Sequence, residues 1–184
     1  MRSTQVKDMI LIALFVALTA VGGLFKIQLP YASITLQTFF CVFAGVFLGA
    51  KKGALSQILY IFIGLTGVPI FAEGGGIMYV IKPSFGYLLG LVPCAYIIGC
   101  YVENGRRSFF HILRGMILGM LALYIVGVPY LFMIIRFYLG QAISINGALS
   151  IGLLPFIIPD LIKAIIAAII YKKAEPALAK SGII

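Results

Sequence analysis

Charged side chains are scarce in this chain of 184 residues: they make up 10% of it, and only five are Asp or Glu. Soluble domains contain about 25% charged residues. Hydrophobic residues instead reach 62% and recur in long runs along the whole sequence. The composition therefore argues against a soluble globular protein and predicts a single integral membrane domain over residues 1–184.

Groups that carry out catalysis are equally scarce. His111 is the only histidine, and no acidic residue lies three or four positions from it. The chain has no G-x-S-x-G or H-E-x-x-H pattern, and no G-x-x-x-x-G-K-[ST] pattern for a nucleotide phosphate. Cys41, Cys94 and Cys100 lie in apolar runs without C-x-x-C spacing, which is typical of packing residues. We expect no enzyme, no metal site and no cofactor.

The apolar runs predict an all-α protein with six transmembrane helices, because the hydrocarbon core of a bilayer needs about 20 apolar residues for each helix. Gly127 and Pro129 should kink the fifth helix, and a seven-span alternative splits it there. The predicted spans cover residues 8–25, 36–50, 53–68, 84–102, 109–135 and 150–173.

Positive charge sets the predicted orientation. The formal net charge is +9, and the basic residues lie singly or in pairs at the edges of apolar runs, a placement typical of topology signals and not of nucleic-acid binding. With both termini in the cytoplasm, only Lys26, Lys82 and Arg136 lie at outer ends, and residues 26–36, 69–83 and 136–149 form outer loops. The basic residues then at inner ends are Arg2, Lys7, Lys51, Lys52, Arg106, Arg107, Arg114, Lys172, Lys173 and Lys180.

An acid and a base interrupt the last apolar run, LLPFIIPDLIKAIIAAIIYKK, at residues 153–173. Pro155 and Pro159 predict a fresh helix that begins at Pro159, with Asp160 in its first turn and Lys163 one turn later on the same face. A charge at membrane depth costs about 2.5–3.5 kcal/mol on insertion scales, so we expect this face to line a cavity. The pair suits a small polar ring such as a cyclic urea or amide, and a purely structural ion pair is the alternative.

Two outer loops offer further candidate ligand contacts. In the first, Thr35 is predicted to cap the second helix, and Gln37 has both a donor and an acceptor for a ligand. The second, GVPIFAEGGGIMYVIKPSFGY at residues 67–87, combines glycines that let the backbone approach a ligand with aromatic rings that can stack on it. The alternative is a flexible loop whose glycines only turn the chain. The candidates in this loop are Phe71, Gly75, Gly76, Tyr79 and Tyr87.

Small residues form a stripe along the first span. Ala13 and Ala17 are four positions apart, with Ala20 and Gly23 on nearly the same face. Such spacing lets a second helix approach closely. The stripe predicts internal packing if it faces inward, and docking of a partner if it faces outward.

Three stretches together resemble the BioY proteins, the biotin-specific S components of energy-coupling factor (ECF) transporters. They are SITLQTFFCVFAGVFLGAKKGALSQILYIFIGLTGVPIFAEGGG, KPSFGYLLG and LPFIIPDLIKA, which occur in the family's order and spacing. The similarity extends from the first helix to about Lys173.

The resemblance implies a six-helix subunit of a bacterial plasma membrane that captures biotin from outside. It also implies a transmembrane T component and two cytoplasmic ATPases as partners, with Ala13 and Ala17 as the alanine motif that meets the T component. Asp160 and Lys163 fall on the family's biotin-contacting motif, and both outer loops are expected to close over the ligand. An S component for riboflavin or thiamine and a scaffold that binds no small molecule are the alternatives.

The chain departs from the family's usual pattern at two places. The middle glycine of P-G-D is missing, since Ile158 and Pro159 lead directly into Asp160, and the usual G-P-T-G-G-Y reads KPSFGY from Lys82 to Tyr87. The second departure adds the bulky Phe85 and the cationic Lys82. We therefore expect the pocket shape or the contact to the ligand's carboxylate tail to differ in detail.

Overall fold

The structure is a computed structural model that describes residues 2–105 and 108–180, with side chains described for 5–105 and 108–176. Arg106 and Arg107, which entered the charge count above, lie outside the described residues, as do the side chains of Arg2 and Lys180. The helices are α1 (Arg2–Leu24), α2 (Gln37–Leu65), α3 (Phe85–Glu103), α4 (Phe109–Met133), α5 (Ile145–Gly152) and α6 (Leu154–Lys180), with a 3-10 turn (Ile77–Ile81), a π turn (Ile134–Tyr138) and strands β1 (Lys26–Gln28) and β2 (Ser33–Thr35).

Within the described residues, five helical segments are long and apolar enough to cross a membrane, with α5 and α6 taken together as one of them. Each segment is rich in Leu, Ile, Val and Phe, so the bundle has an apolar exterior as well as an apolar interior. The structure therefore agrees with the prediction of a mostly helical membrane protein.

The helix α2 folds back on itself at Gly49, where φ is +78° and ψ is −176°. The side-chain amide of Gln37 donates to the hydroxyl of Tyr60, although the two residues are 23 positions apart. A straight helix would separate them by about 34 Å. The predicted spans 36–50 and 53–68 thus correspond to two antiparallel arms of α2.

The side chain of Glu103 lies at the turn between these arms. Its Oε1 accepts a hydrogen bond at 3.0 Å from the backbone N–H of Ala50, the first residue after Gly49. The carboxylate therefore satisfies an amide that the interrupted helix leaves free. A Cβ on Gly49 would overlap the same oxygen, so the turn needs both the positive φ and the absence of a side chain.

Three connecting segments meet at the opposite end of the bundle from Gly49. Lys26 on β1 donates to the backbone carbonyl of Ala72, in the segment between α2 and α3. Tyr31, between the two strands, donates at 2.7 Å to Oε1 of Gln141, in the segment between α4 and α5. The segments predicted to be outer loops therefore lie together.

The first of these segments contains a feature that the all-α prediction missed. β1 and β2 pair in an antiparallel hairpin, with Lys26 opposite Thr35. The cap position of α2 is consequently Leu36, and Thr35 ends the second strand. Thr35 Oγ1 still accepts from the backbone N–H of Gln37 at 3.3 Å, so it satisfies one amide of the first turn.

The prediction that a fresh helix begins at Pro159 is wrong. α6 begins at Leu154, with Pro155 at its second position, and it continues through Pro159. Proline fits the first turn because the missing N–H has no partner there, so Pro155 starts the helix one turn earlier than predicted. Asp160 is therefore not in the first turn, and the helix dipole does not explain its burial. The seven-span alternative, which splits the fifth predicted helix, is not observed, because α4 continues through Pro129 to Met133 and the π turn.

Candidate ligand-binding site

A cavity opens at the end of the bundle where the connecting segments meet. The space inside it that is open to the centre of a water-sized sphere is about 50 Å³, so the cavity is narrow in this structure. Its walls come from the first arm of α2, the segment between α2 and α3, and helices α3, α4 and α6, and they include Gln37, Thr38, Tyr79, Tyr87, Tyr124 and Phe156.

Asp160 and Lys163 form one wall of this cavity. They are 4% and 9% exposed, and Lys163 Nζ lies 2.7 Å from Asp160 Oδ1. The sequence predicted that the two side chains share a face and turn inward, and the structure places them so. Because residues three positions apart lie one above the other on a helix, the pair forms without distortion of α6.

The ammonium group of Lys163 has no free proton. It donates to the backbone carbonyl of Thr35 at 2.7 Å, to Thr38 Oγ1 at 3.0 Å and to Asp160 Oδ1. An ammonium has three donors, so these three partners use all of them. Lys163 is thereby tied to the first arm of α2 and to its own helix.

Asp160, in contrast, retains capacity to accept. Its Oδ1 accepts from Lys163 and, at 3.1 Å, from Thr38 Oγ1, and its Oδ2 accepts from the hydroxyl of Tyr124. A carboxylate has about four lone-pair positions, so about one is left for a group in the cavity. Three protein donors, one of them the cation of Lys163, offset the cost of burying this anion.

Gln37 is the second buried polar group in the wall, with 5% of its surface exposed. Its Oε1 accepts from Thr35 Oγ1 at 2.8 Å, and its Nε2 donates to Tyr60, whose hydroxyl donates to the carbonyl of Ile70 at 2.9 Å. An amide nitrogen has two protons, so one remains for a ligand. Gln37 therefore retains one amide proton, whereas the acceptor that its residue type also offers is taken by Thr35.

Aromatic rings form the apolar part of the wall. Tyr87 stacks on Phe156, with ring centroids 5.8 Å apart, and its hydroxyl donates to the carbonyl of Gly152 at 2.6 Å. Tyr79, in the 3-10 turn outside the spanning helices, is 3% exposed, and this burial raises the pKa of its hydroxyl. Tyr79 thus stays protonated and can donate a hydrogen bond across the physiological range.

Three candidates from the glycine-rich loop do not line the cavity. Phe71 is 2% exposed and packs behind Tyr79 and against Tyr60, with ring centroids 4.7 and 5.5 Å away. Gly75 lies so close to the backbone of Val68 that a Cβ would overlap it, and Gly76 N donates to the carbonyl of Gly64 at 2.7 Å. These residues hold the loop on the end of α2.

Sequence reasoning missed several residues of the wall. Thr38 and Tyr124 both contact Asp160, and Phe156 stacks on Tyr87. Glu73 and Ser84, in the segment between α2 and α3, also line the cavity. The apolar run of α4 contains two hydroxyl groups, those of Tyr124 and Tyr130, so nothing in the sequence singled out Tyr124. The signal for Thr38 was its position next to Gln37.

The small-residue stripe of α1 divides between an exposed part at Ala13 and Ala17 and the buried Gly23, which packs close to Ile70 and Gln37. Ala13 and Ala17 are exposed and line an external apolar groove together with Leu55, Leu59 and Ile63 of α2. In the apolar stretch of α1, 28% of the residues are buried, whereas in the apolar stretch of α2 the buried share is 61%. Ala13 and Ala17 therefore do not serve packing within the described part of this chain.

The sequence is similar to those of proteins named as biotin transporters. The sequence profile of the BioY family matches residues 1–180. The chain is 38% identical over 167 residues to a probable biotin transporter BioY of Lysinibacillus sphaericus, covering 90% of this chain and 85% of that protein. It is 34% identical over 165 residues to the biotin transporter BioY of Thermotoga maritima, covering 89% and 93%.

A solved structure has the same fold. The crystal structure at 2.1 Å of the S-component for biotin from an ECF-type ABC transporter superposes with a TM-score of 0.83 at 25% identity, covering 96% of this chain and 94% of that one.

Proposed function

This chain belongs to the BioY family, and from that premise we propose that it is the biotin-binding S component of an ECF-type transporter and serves biotin uptake. The observation that carries the proposal is the buried Asp160 in the cavity wall, which has three protein donors and capacity for one more. A fixed anion that lacks one donor is suited to a ligand N–H. Biotin presents such groups in its ureido ring.

In the proposed complex, a ureido N–H of biotin donates to Asp160. Lys163 has no free proton for the ureido oxygen, so its role is to orient Asp160 and to balance its charge. The remaining amide proton of Gln37 is the candidate donor to the ureido oxygen. The bicyclic ring then packs on the aromatic surface of Tyr79 and Tyr87, and the carboxylate tail points to the mouth.

This arrangement favours biotin over analogues that lack the urea. Without a ureido N–H, Asp160 would stay short of a donor in a buried site, and without the carbonyl the amide proton of Gln37 would stay unpaired. Each unsatisfied buried group costs about 1–3 kcal/mol. Selectivity of several kcal/mol therefore follows from the polar wall alone.

We further propose six membrane crossings with both termini in the cytoplasm of a bacterial cell. The fold back at Gly49 supports the count, since each arm of α2 reaches from one end of the bundle to the other. The excess of Lys and Arg at the end opposite the cavity supports the orientation. The cavity then opens to the outside, where the vitamin is captured.

The proposed partners are a transmembrane T component and two cytoplasmic ATPases. The exposed stripe at Ala13 and Ala17 is the candidate surface for a helix of the T component, because small side chains let helices approach closely. No nucleotide-binding pattern exists in the sequence, so the energy for uptake would come from the ATPases. The subunit itself is proposed to be neither an enzyme nor dependent on a cofactor.

Titration of the purified chain with biotin, riboflavin and thiamine tests this proposal. We expect saturable binding of biotin alone, measured by isothermal titration calorimetry. Binding of riboflavin or thiamine in place of biotin would contradict the ligand assignment. An absence of binding to all three would favour a scaffold.

A further inference from the structure

A second ion pair has one member, Glu73, in the wall of the cavity and the other, Lys82, beside that wall. Lys82 Nζ is 2.9 Å from Oε2 of Glu73, which lines the cavity, and 4.9 Å from the ring centroid of Tyr79, which lines it as well. The side chains of Lys82 and Glu73 are 39% and 25% exposed. Unlike the pair of Asp160 and Lys163, this pair is therefore open to exchange with solvent or with a ligand.

The protons of Lys82 are not all firmly held. One donates to Glu73 Oε2, and a second contacts the backbone carbonyl of Glu73 at 3.3 Å, which is long for a charged hydrogen bond. An ammonium has three donors. Lys82 can therefore turn toward a new acceptor without leaving its partner, which Lys163 cannot do.

Glu73 alone would make the mouth unfavourable for an acid. A carboxylate in a cavity wall repels an anionic ligand, and Lys82 cancels that repulsion while it stays close. Lys26, the other cation near this segment, donates to the carbonyl of Ala72, so it binds the backbone of the loop. Of these two cations, Lys82 is the one that contacts the carboxylate of Glu73.

We propose that Glu73 and Lys82 form an outer subsite that selects ligands by the charge of their tail. This proposal rests on the assignment of biotin to the inner site. When biotin binds, Lys82 redirects one of its N–H groups from Glu73 to the carboxylate of the tail. Glu73 competes with the tail for Lys82 and weakens binding of the acid. The inner wall thus recognises the ring, and the outer pair recognises the acid.

Comparison of biotin with biotin methyl ester isolates this subsite. Both compounds have the same ring and urea, but the ester has no charge on its tail. We expect the purified wild-type chain to bind biotin more tightly than the ester. In Lys82→Met that preference should fall by about fivefold, as expected for a partly exposed ion pair, with the ester's affinity unchanged.

Three further variants complete the test. Lys82→Arg should restore the preference for the acid, because the charge returns. Glu73→Gln should raise the affinity for biotin and leave the affinity for the ester unchanged, because the tail no longer competes with a carboxylate for Lys82. Lys26→Met removes a cation from the same end of the bundle, and it should change the affinities for both compounds by the same factor.

The outcomes separate the two proposals. If the wild-type chain binds neither compound, the assignment of biotin is wrong and the outer subsite is wrong with it. If it binds biotin but the ratio of the two affinities is the same in Lys82→Met, only the outer subsite is wrong. An equal loss for both compounds in Lys82→Met would assign Lys82 to the packing of Tyr79.

Discussion

The hydroxyl of Tyr124 donates to the oxygen of Asp160 that Lys163 does not contact. Thr38 contributes a third donor from α2, so Asp160 is held from three helices. A carboxylate with partners on both oxygens cannot rotate to follow a ligand. The direction of its remaining acceptor position is therefore fixed before biotin arrives, which lowers the entropic cost of binding.

We expect Tyr124→Phe to weaken biotin binding by about tenfold or more, because hydrogen bonds to charged groups contribute about 1.5–3 kcal/mol. The ring remains, so the shape of the wall is kept. Tyr96→Phe, on the exposed face of α3, is the matched control and should bind biotin as the wild-type chain does. Calorimetric titration of both variants measures the difference, and equal affinities would show that Tyr124 does not position Asp160.

The sequence was sufficient to find Asp160 and Lys163 but not their partners. Two charges in an apolar run stand out because their burial is costly, and their spacing places them on one face of a helix. Thr38 lies 122 positions from Asp160, and Tyr124 lies 36 positions away. A hydroxyl is inexpensive in an apolar helix, so nothing local indicates which one turns inward.

The glycine-rich loop shows a second limit of sequence reasoning. Glycine permits close approach to a ligand or to the protein's own backbone, and the residue type is the same in both cases. Gly75 packs on Val68, whereas Tyr79 in the same loop reaches the cavity. Only the path of the loop over α2 decides between these alternatives. The hairpin of β1 and β2 was missed for a similar reason, because strands of three residues carry little periodic signal.

Separate and combined changes at the buried pair distinguish a ligand contact from a structural ion pair. We expect Asp160→Asn and Lys163→Met each to lose most biotin binding and to unfold at lower temperature, because one partner of a buried pair is left without its counterion. In the double variant Asp160→Leu, Lys163→Met, the thermal stability should return toward that of the wild-type chain. Biotin binding should not return.

Thermal unfolding in detergent and biotin titration of the same three proteins provide the two measurements. A double variant that regains stability and also binds biotin would assign the pair a structural role only. Single variants that bind biotin normally would exclude Asp160 and Lys163 from the site altogether.

The turn between the arms of α2 makes a prediction about stability. Gly49→Ala should destabilise the chain by more than about 2 kcal/mol, because the new Cβ combines a positive φ with overlap of the Glu103 carboxylate. Gly67→Ala is the control: its φ is +109°, and nothing lies within 4 Å of the added Cβ. This variant has the conformational strain without the overlap, so its free energy of unfolding should fall by about 1 kcal/mol.

Both variants are compared with the wild-type chain by their unfolding temperatures in the same detergent. Combining Gly49→Ala with Glu103→Ala should recover part of the loss, since the overlap is removed while the strain stays. Equal losses in Gly49→Ala and Gly67→Ala would show that the approach of Glu103 to the turn contributes nothing.

The external groove of α1 gives a prediction about assembly. Ala17→Trp should abolish association with the T component and the ATPases, because the large ring fills the place where a second helix would approach. Leu14→Trp is the control, since Leu14 is also exposed on α1, at 49%, but lies outside the groove. Both variants should bind biotin as the wild-type chain does, because neither residue lines the cavity. Co-purification of the coexpressed subunits measures assembly, and retention of the T component by Ala17→Trp would move the docking surface away from this stripe.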